Sequence, residues 1–238
     1  MNLDYKFIGL EKGLLYEILA TTISNDNSDQ NIPNTACMGI RLLNNNLISI
    51  KPYPTTKTFH NLKKFPIVIL NFVDDIQLYA ITSLKDSKIN YTSDNLPKVH
   101  YDYLKLEVTS KYQYNLNTFP FINSSWAIII CEVEKEIISQ KKDKFGIINL
   151  SEFLLSPILI KKFRASYKLY NRAENLILES LILTTRLKIA IETKNQDLIK
   201  LVEHQIDENM KIAKKFATNK KISNVLDYIH QYIQKLRN

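Results

Sequence analysis

Residues 35–53 read TACMGIRLLNNNLISIKPY and contain two short apolar segments separated by three asparagines. Each segment, 35–43 and 47–53, is long enough for one β-strand. Asparagine tolerates a positive φ better than most residues, so the Asn44-Asn45-Asn46 run is suited to a tight turn. Two strands joined by such a turn form a β-hairpin, and the stretch therefore predicts a β-rich region.

The sequence on both sides of this hairpin predicts four more strands. Residues 67–73, IVILNFV, form an almost continuous apolar run, which is typical of a strand buried on both faces. The polar residues 25–33 predict a turn. Six strands with short connections favour a small barrel. The remaining predicted strands are 13–24, 101–110 and 125–138, and the predicted short helices are 59–64 and 76–84.

A helical period replaces the strand pattern from about residue 156 onward. Residues 161–193 predict one or two helices, followed by further helices at 197–218 and 222–236. The segment 177–183 is apolar nearly all round, so we expect it at the buried centre of a small bundle. The chain is therefore divided into a β-domain, residues 1–155, and an α-helical domain, residues 156–238.

The net charge of +8 is concentrated in the helical part. Residues 1–160 hold 16 Lys and Arg against 16 Asp and Glu, whereas residues 161–238 hold 16 against 8. This excess, with Lys214-Lys215 and Lys220-Lys221, raises nucleic-acid binding as one interpretation. A solvated lysine-rich surface is favoured instead, because no aromatic residues alternate with these lysines and no helix-turn-helix signature is present.

Several classes of site are excluded by what the sequence lacks. The four glycines form neither a dinucleotide-binding motif nor a P-loop. The two cysteines and four scattered histidines lack metal-ligand spacing, so no metal is expected. The first ten residues do not resemble a signal peptide, and no stretch is long and apolar enough to span a bilayer. We therefore expect a cytoplasmic protein with reduced thiols and no membrane partner.

The polar residues between 34 and 61 point to ligand chemistry. Gly39 allows close approach to the backbone of its strand, and Arg41 is the only arginine in the first 160 residues. The run Thr55-Thr56-Lys57-Thr58 places three hydroxyls and one ammonium group just before a predicted helix. Hydroxyls and a cation at a helix N-terminus are suited to binding phosphate. A turn with a threonine N-cap is the other interpretation, and both stay open.

Arg172, Glu179 and Arg186 recur every seven residues in the first predicted long helix, so they share one helix face. They could form a buried ionic stripe that fastens the helical domain to the barrel or to a partner subunit. A solvated stripe is the favoured interpretation.

These motifs, taken in order, resemble those of a known family. Asn34-x-Ala36-x-Met38-Gly39, then Lys57-Thr58-x-x-Asn61-Leu62, and then Asn71 near a strand end are similar to the flavin reductase-like, FMN-binding split barrels. More closely, the chain resembles the DUF447 family of uncharacterised archaeal and bacterial proteins. That resemblance extends through Tyr170-Asn171-Arg172-Ala173-Glu174 and from Leu178-Glu179 to Thr184-Thr185-Arg186.

The resemblance implies an α+β protein: a six-stranded FMN-binding split β-barrel followed by a C-terminal α-helical domain. It implies FMN as the cofactor and a homodimer with FMN near the interface. The implied function is a flavin reductase-like oxidoreductase acting on an unidentified small substrate. A non-catalytic flavin-binding or sensor protein is the alternative, and no catalytic residue is predicted.

The resemblance also implies which residues bind the cofactor. Residues 55–58 would hold the phosphate, the backbone at Met38 and Gly39 would line the flavin ring, and Arg41 would lie near either group. Asn71 would bond to the ring edge or be an ordinary polar residue near a strand end. Cys37 stands where family members often have proline, and we expect it to serve packing. The complete predicted set is Met38, Gly39, Arg41, Thr55, Thr56, Lys57, Thr58, Asn61 and Asn71.

Overall fold

The computed structural model describes residues 5–25, 31–75, 78–79, 82, 96–106, 118–143, 146–166, 171–218 and 220–237. Contacts between residues divide the chain into two compact units. The barrel unit contains residues 1–10 and 17–170, and the helical unit contains residues 11–16 and 171–238. The helical unit thus begins later than the helical domain predicted from residue 156, and it also includes a short N-terminal segment.

The strands confirm the predicted α+β fold with a six-stranded barrel. In the described part of the chain, six strands close into a barrel in the order β1-β2-β3-β8-β7-β4, and β5 and β6 form a separate two-stranded sheet. The strands are β1 (Leu15–Asn25), β2 (Asn31–Leu42), β3 (Ile48–Ile50), β4 (Ile67–Phe72), β5 (Tyr101–Lys105), β6 (Thr118–Ile122), β7 (Ala127–Asp143) and β8 (Gly146–Lys162).

Strand β8 corrects the prediction that the helical period begins near residue 156 and a helix near residue 161. It pairs with β7 from Asp143↔Gly146 to Ala127↔Lys162. A nearly continuous apolar run cannot be assigned to strand or helix by periodicity alone. In this segment the hydrogen bonds to β7 make it a strand. Pro157 lies at a register shift of this pair, where its missing N–H can be tolerated. The predicted strand at 101–110, in turn, is β5 of the small sheet, and residues 107–110 lie outside the described residues.

The connections differ from the predictions in smaller ways. The turn at 44–46 is confirmed, with Asn46 at a φ of 64°. Helix α1 (Lys57–Lys64) begins two residues earlier than predicted, because Thr56 is its N-cap. The predicted turn at 25–33 extends too far, since β2 begins at Asn31. The predicted helix at 76–84 lies largely outside the described residues, among which Leu78, Tyr79 and Thr82 are helical. Two short 3-10 helices are Tyr5–Ile8 and Lys98–His100.

One face of the sheet made by β1, β4 and β7 lies beneath the small sheet. Ile23, Ile69 and Ile130 of the three strands form a buried cluster with Phe119 and Phe121 of β6. Beside it, Leu19 and Val73 cluster with Tyr101 of β5, and Cys37 packs against this second cluster. Every residue of β4 is buried, as its apolar run predicted.

The helical unit contains three long helices in its described part: α2 (Arg172–Glu192), α3 (Gln196–Phe216) and α4 (Lys220–Arg237). Asn171 and Asn195 cap the first two through their side chains. The prediction that 177–183 is buried all round is wrong, because Leu181 and Ile182 are 40% and 41% exposed. With two neighbouring helices, α3 and α4, only part of the surface of α2 is covered. No described helix is long and apolar enough to cross a membrane.

Candidate functional site

The loop 51–56 and the first turn of α1 bring several of the predicted residues together. The Thr56 hydroxyl accepts a hydrogen bond from the Phe59 N–H at 3.3 Å and donates one to the Tyr53 carbonyl at 2.7 Å. Thr55 and Lys57 are exposed. The first N–H groups of a helix have no carbonyl partner four residues earlier, and the macrodipole adds partial positive charge there. This end of α1 is therefore suited to an anion.

Thr58 and Asn61, by contrast, lie on the buried side of α1. Thr58 accepts a hydrogen bond of 3.4 Å from the Asn34 amide, and the Asn61 amide donates one of 3.0 Å to Thr22. Thr22 in turn donates to the Asn34 carbonyl at 3.4 Å. These bonds fasten α1 to β1 and β2. The two side chains therefore position the helix, and their predicted role as direct contacts of a ligand is not supported by their burial.

Met38 and Gly39 are half-buried in β2. Ile40 is paired with Ile50, the last residue of β3, so the loop 51–56 begins beside this part of β2. The loop ends at α1, which is bonded to Asn34 at the other end of the strand. The loop and the β2 segment between Asn34 and Gly39 therefore border the same area.

Arg41 lies at the far end of this area. It is paired with Ser49 of β3 and is half-buried. Seven residues separate it from Asn34, which corresponds to roughly 23 Å along an extended strand. Arg41 is therefore placed beside the start of the loop rather than beside the first turn of α1.

Asn71 is fully buried, and both polar atoms of its side chain form hydrogen bonds within the protein. Its amide nitrogen donates to the Leu19 carbonyl at 2.8 Å, to the Thr21 hydroxyl at 2.9 Å and to the Ile69 carbonyl at 3.0 Å. Its oxygen accepts from the Ile122 N–H at 2.8 Å and from the Ser125 hydroxyl at 3.4 Å. This corrects the interpretation of Asn71 as a contact of a flavin edge, since no hydrogen-bonding capacity is left for a ligand.

A buried chain of hydroxyls continues from Asn71 and was missed by the sequence reasoning. Thr21 bonds to Thr35 at 2.8 Å, and Thr35 bonds to the Tyr101 hydroxyl at 2.8 Å. Burial raises the pKa of Tyr101 to about 12, although its hydrogen bond with Thr35 opposes the shift. The Thr21-Thr22 pair in an apolar strand was a possible signal, but threonine is also an ordinary strand residue.

Two of the lysines near the loop are held by carboxylates. Lys63 at the end of α1 bonds to Glu136 at 2.6 Å, and Lys51 lies 3.2 Å from Glu152. Burial raises the pKa of Glu136, but hydrogen bonds from Lys63 and Ser151 outweigh it, and the net shift is downward. These pairs fasten α1 and the start of the loop to β7 and β8.

The chain is similar to solved structures of other proteins. An FMN-bound protein of the DUF447 family from Methanosarcina mazei has 18% identity and a TM-score of 0.50, over 96% of this chain and 99% of that chain. Flavoredoxin from Methanosarcina acetivorans has 12% identity and a TM-score of 0.44, over 68% and 75% of the two chains. A flavin reductase in complex with NADP+ has 17% identity and a TM-score of 0.42, over 68% and 92%. At 18% identity the likeness to the Methanosarcina mazei protein concerns the fold alone.

No curated protein sequence matches this chain. The family described as protein of unknown function (DUF447), N-terminal domain, matches residues 16–152, which include α1, the barrel strands β2, β3, β4 and β7, and all of β1 except its first residue. The match covers more than half of the chain and confirms the resemblance drawn from the sequence motifs. The chain belongs to the DUF447 family.

Proposed function

We propose that this protein binds FMN, with the phosphate at the first turn of α1 and the flavin ring along β2 beside Met38 and Gly39. The observation that carries the proposal is the exposed pair Thr55 and Lys57 at a helix N-terminus. A phosphate there meets N–H groups, a hydroxyl and an ammonium ion, which together provide charge-assisted hydrogen bonds. Membership of a family that includes an FMN-bound protein supports the same cofactor.

The residues of the predicted set have different roles in this proposal. Thr55 and Lys57 bind the phosphate, while Thr56 holds the loop by capping α1. Thr58 and Asn61 keep the helix in place from its buried side. Arg41 lies beside the start of the loop, where it can reach the ring side of the cofactor more easily than the phosphate. Asn71 has no part in this proposal, because its side chain forms hydrogen bonds within the protein.

Bound FMN would supply hydride or electron transfer, and the protein would supply binding, orientation and exclusion of water. We propose a flavin reductase-like oxidoreductase that acts on a small substrate, and we assign no side chain as an acid or base. A non-catalytic flavin-binding protein is the second candidate. Homodimer formation and a cytoplasmic location stay predictions.

The first test is the absorbance spectrum of the purified protein before and after incubation with FMN and gel filtration. Flavin bands that travel with the protein peak are expected. A protein that stays colourless and gives no change in flavin fluorescence on titration would contradict FMN binding.

A second measurement separates an enzyme from a binding protein. The FMN-loaded protein is mixed with NADH or NADPH in the absence of air, and the flavin absorbance is followed. Bleaching faster than that of free FMN supports an oxidoreductase, whereas the rate of free FMN supports the non-catalytic candidate.

A further inference from the structure

One face of α2 carries a row of exposed side chains, here called the α2 stripe: Asn175, Glu179, Ile182, Arg186 and Ile189. Successive members are three or four residues apart, the spacing found where two helices pack together. Ile182 and Ile189 are 41% and 57% exposed, so the stripe presents two aliphatic side chains to solvent. Within the helical unit, the stripe is therefore a face of α2 that α3 and α4 leave exposed.

The two charged members of the stripe lack ion-pair partners within the described residues. Glu179 and Arg186 are seven residues apart, or about 10 Å along the helix axis, so they do not reach each other. Other charges of the helical unit do pair: Arg237 lies 2.8 Å from Glu203, and Lys211 lies 3.4 Å from Glu208. Glu179 and Arg186 are thus one negative and one positive charge left available on the same face.

An open groove between α2 and α3 borders the stripe. Its volume is about 430 Å³. Glu179, Leu183 and Arg186 form one wall of the groove, and Leu183 is buried. The residues of α3 on the other wall are polar: His204, Gln205, Glu208 and Asn209. A second helix laid along the stripe would direct side chains into this groove.

We propose that the α2 stripe binds the α2 stripe of a second copy of this chain in an antiparallel, two-fold symmetric contact. With the two-fold axis beside Ile182 and Leu183, Glu179 lies about 5 Å before the axis and Arg186 about 5 Å after it. Each Glu179 then faces the partner's Arg186, and symmetry forms this pair twice. The two Ile182 side chains meet at the axis and lose their exposed surface.

The charge pattern of the stripe selects this occupant. In a parallel arrangement Glu179 would face the partner's Glu179 and Arg186 the partner's Arg186, which is unfavourable. In an antiparallel contact with a second copy, Glu179 and Arg186 each face a side chain of opposite charge, so no other protein is needed to pair them. The contact lies entirely within the helical unit, so the proposal is independent of FMN binding.

Cysteine cross-linking tests the contact directly. Ile182→Cys is made in a Cys37→Ser background, in which the buried Cys131 is the one native thiol left. Mild oxidation is expected to give a disulfide-linked dimer of the full-length protein. Leu181→Cys is the matched control, because Leu181 is equally exposed but lies on a different face of α2. Equal cross-linking of the two variants, or none for Ile182→Cys, would overturn the proposal.

Charge reversal tests the antiparallel pairing. Glu179→Arg and Arg186→Glu, each added to Ile182→Cys, should lower the cross-linked fraction by roughly tenfold, because each turns two attractive pairs into repulsive ones. An equal mixture of the two variants, and the double variant Glu179→Arg/Arg186→Glu, should both restore cross-linking. Single reversals without effect, or a mixture that stays uncross-linked, would contradict the pairing. Because all these side chains are exposed, far-UV circular dichroism should be unchanged.

Discussion

Two groups of polar side chains in the barrel unit, one around Asn71 and one at the start of α1, form the same kinds of hydrogen bond but differ in burial. Around Asn71 every hydrogen-bonding atom of the side chain is engaged by the protein, and the residue is fully buried. At the start of α1, Thr55 and Lys57 are exposed beside a helix N-terminus. A polar residue type therefore does not identify a ligand site. The two groups differ instead in exposure, because a ligand can reach only the side chains that lie at the surface.

The largest effect should come from Asn71→Ala. The change leaves the buried Ile122 N–H without its side-chain acceptor and removes one of the two hydrogen bonds of the Thr21 hydroxyl, so we expect a loss of about 3–5 kcal/mol in the free energy of unfolding. Urea denaturation measures this. Asn123→Ala is the control, because Asn123 is exposed and its side chain makes a single bond to the Val99 carbonyl. If Asn71→Ala were as mild as its control and instead weakened FMN binding, Asn71 would belong to the ligand group.

The second-largest effect is expected on FMN binding, when the exposed residues Thr55 and Lys57 at the start of α1 are changed. Thr55→Ala combined with Lys57→Ala removes two contacts to the proposed phosphate, each worth roughly 1.5–3 kcal/mol. The dissociation constant for FMN should rise about 100-fold or more, with little change in unfolding. Flavin fluorescence titration measures it.

Lys64→Ala is the matched control for this pair, because it removes the same charge from the last turn of the same helix. An equal weakening by the control would mean that net charge alone, and not the first turn of α1, attracts the phosphate.

A smaller effect is expected for Tyr101→Phe, which removes one bond from the buried hydroxyl chain. The cost should be about 1 kcal/mol at neutral pH, because Thr35 keeps its bond to Thr21. The folded pKa of Tyr101, about 12, lies above the ordinary value of 10.0, so its protonated form is favoured by folding. That contribution is complete below pH 10 and is lost as the pH rises through about 12.

Denaturation of both proteins between pH 8 and pH 11 tests this prediction. The difference between wild type and Tyr101→Phe should shrink above pH 10. Tyr103→Phe, at an exposed position of the same strand, is the control for the loss of a tyrosine hydroxyl. A difference that stays constant with pH would contradict the burial of the Tyr101 hydroxyl.

The smallest effect is expected at an exposed ion pair of the barrel unit. Arg164 bonds to both carboxylate oxygens of Asp74, at 2.9 and 2.7 Å, and this lowers the pKa of Asp74. Arg164→Ala should cost less than about 1 kcal/mol at pH 7, because both side chains are well exposed.

The contribution of the Arg164–Asp74 pair to stability should depend on pH. A depressed carboxylate pKa stabilises the fold above the unfolded value of about 3.9, and the contribution is lost as the pH falls through the folded pKa. Wild type and Arg164→Ala should therefore converge in strongly acidic solution. A gap that persists there would assign the effect of Arg164 to packing.

Much of the barrel could be predicted from local patterns. The run at 67–73 and the 44–46 turn lie where the strand and turn were expected. A strand buried on two faces requires a continuous apolar run, and a positive φ favours asparagine, so both are visible in the sequence. Strand β8 could not be predicted in the same way. Its apolar run also satisfies a helical period, and only its partner β7 distinguishes the two.

The candidate site shows the same limit. The sequence alone determined that a threonine- and lysine-rich turn precedes a helix, because capping and helix dipoles depend on residues a few positions apart. Tertiary structure alone decided which polar groups remain available. The partner of Thr58 is 24 residues away, and those of Asn61 and Asn71 are 39 and 50 residues away. Hydrogen bonds over such separations form only when the barrel closes, so no local pattern reveals which side chains they occupy.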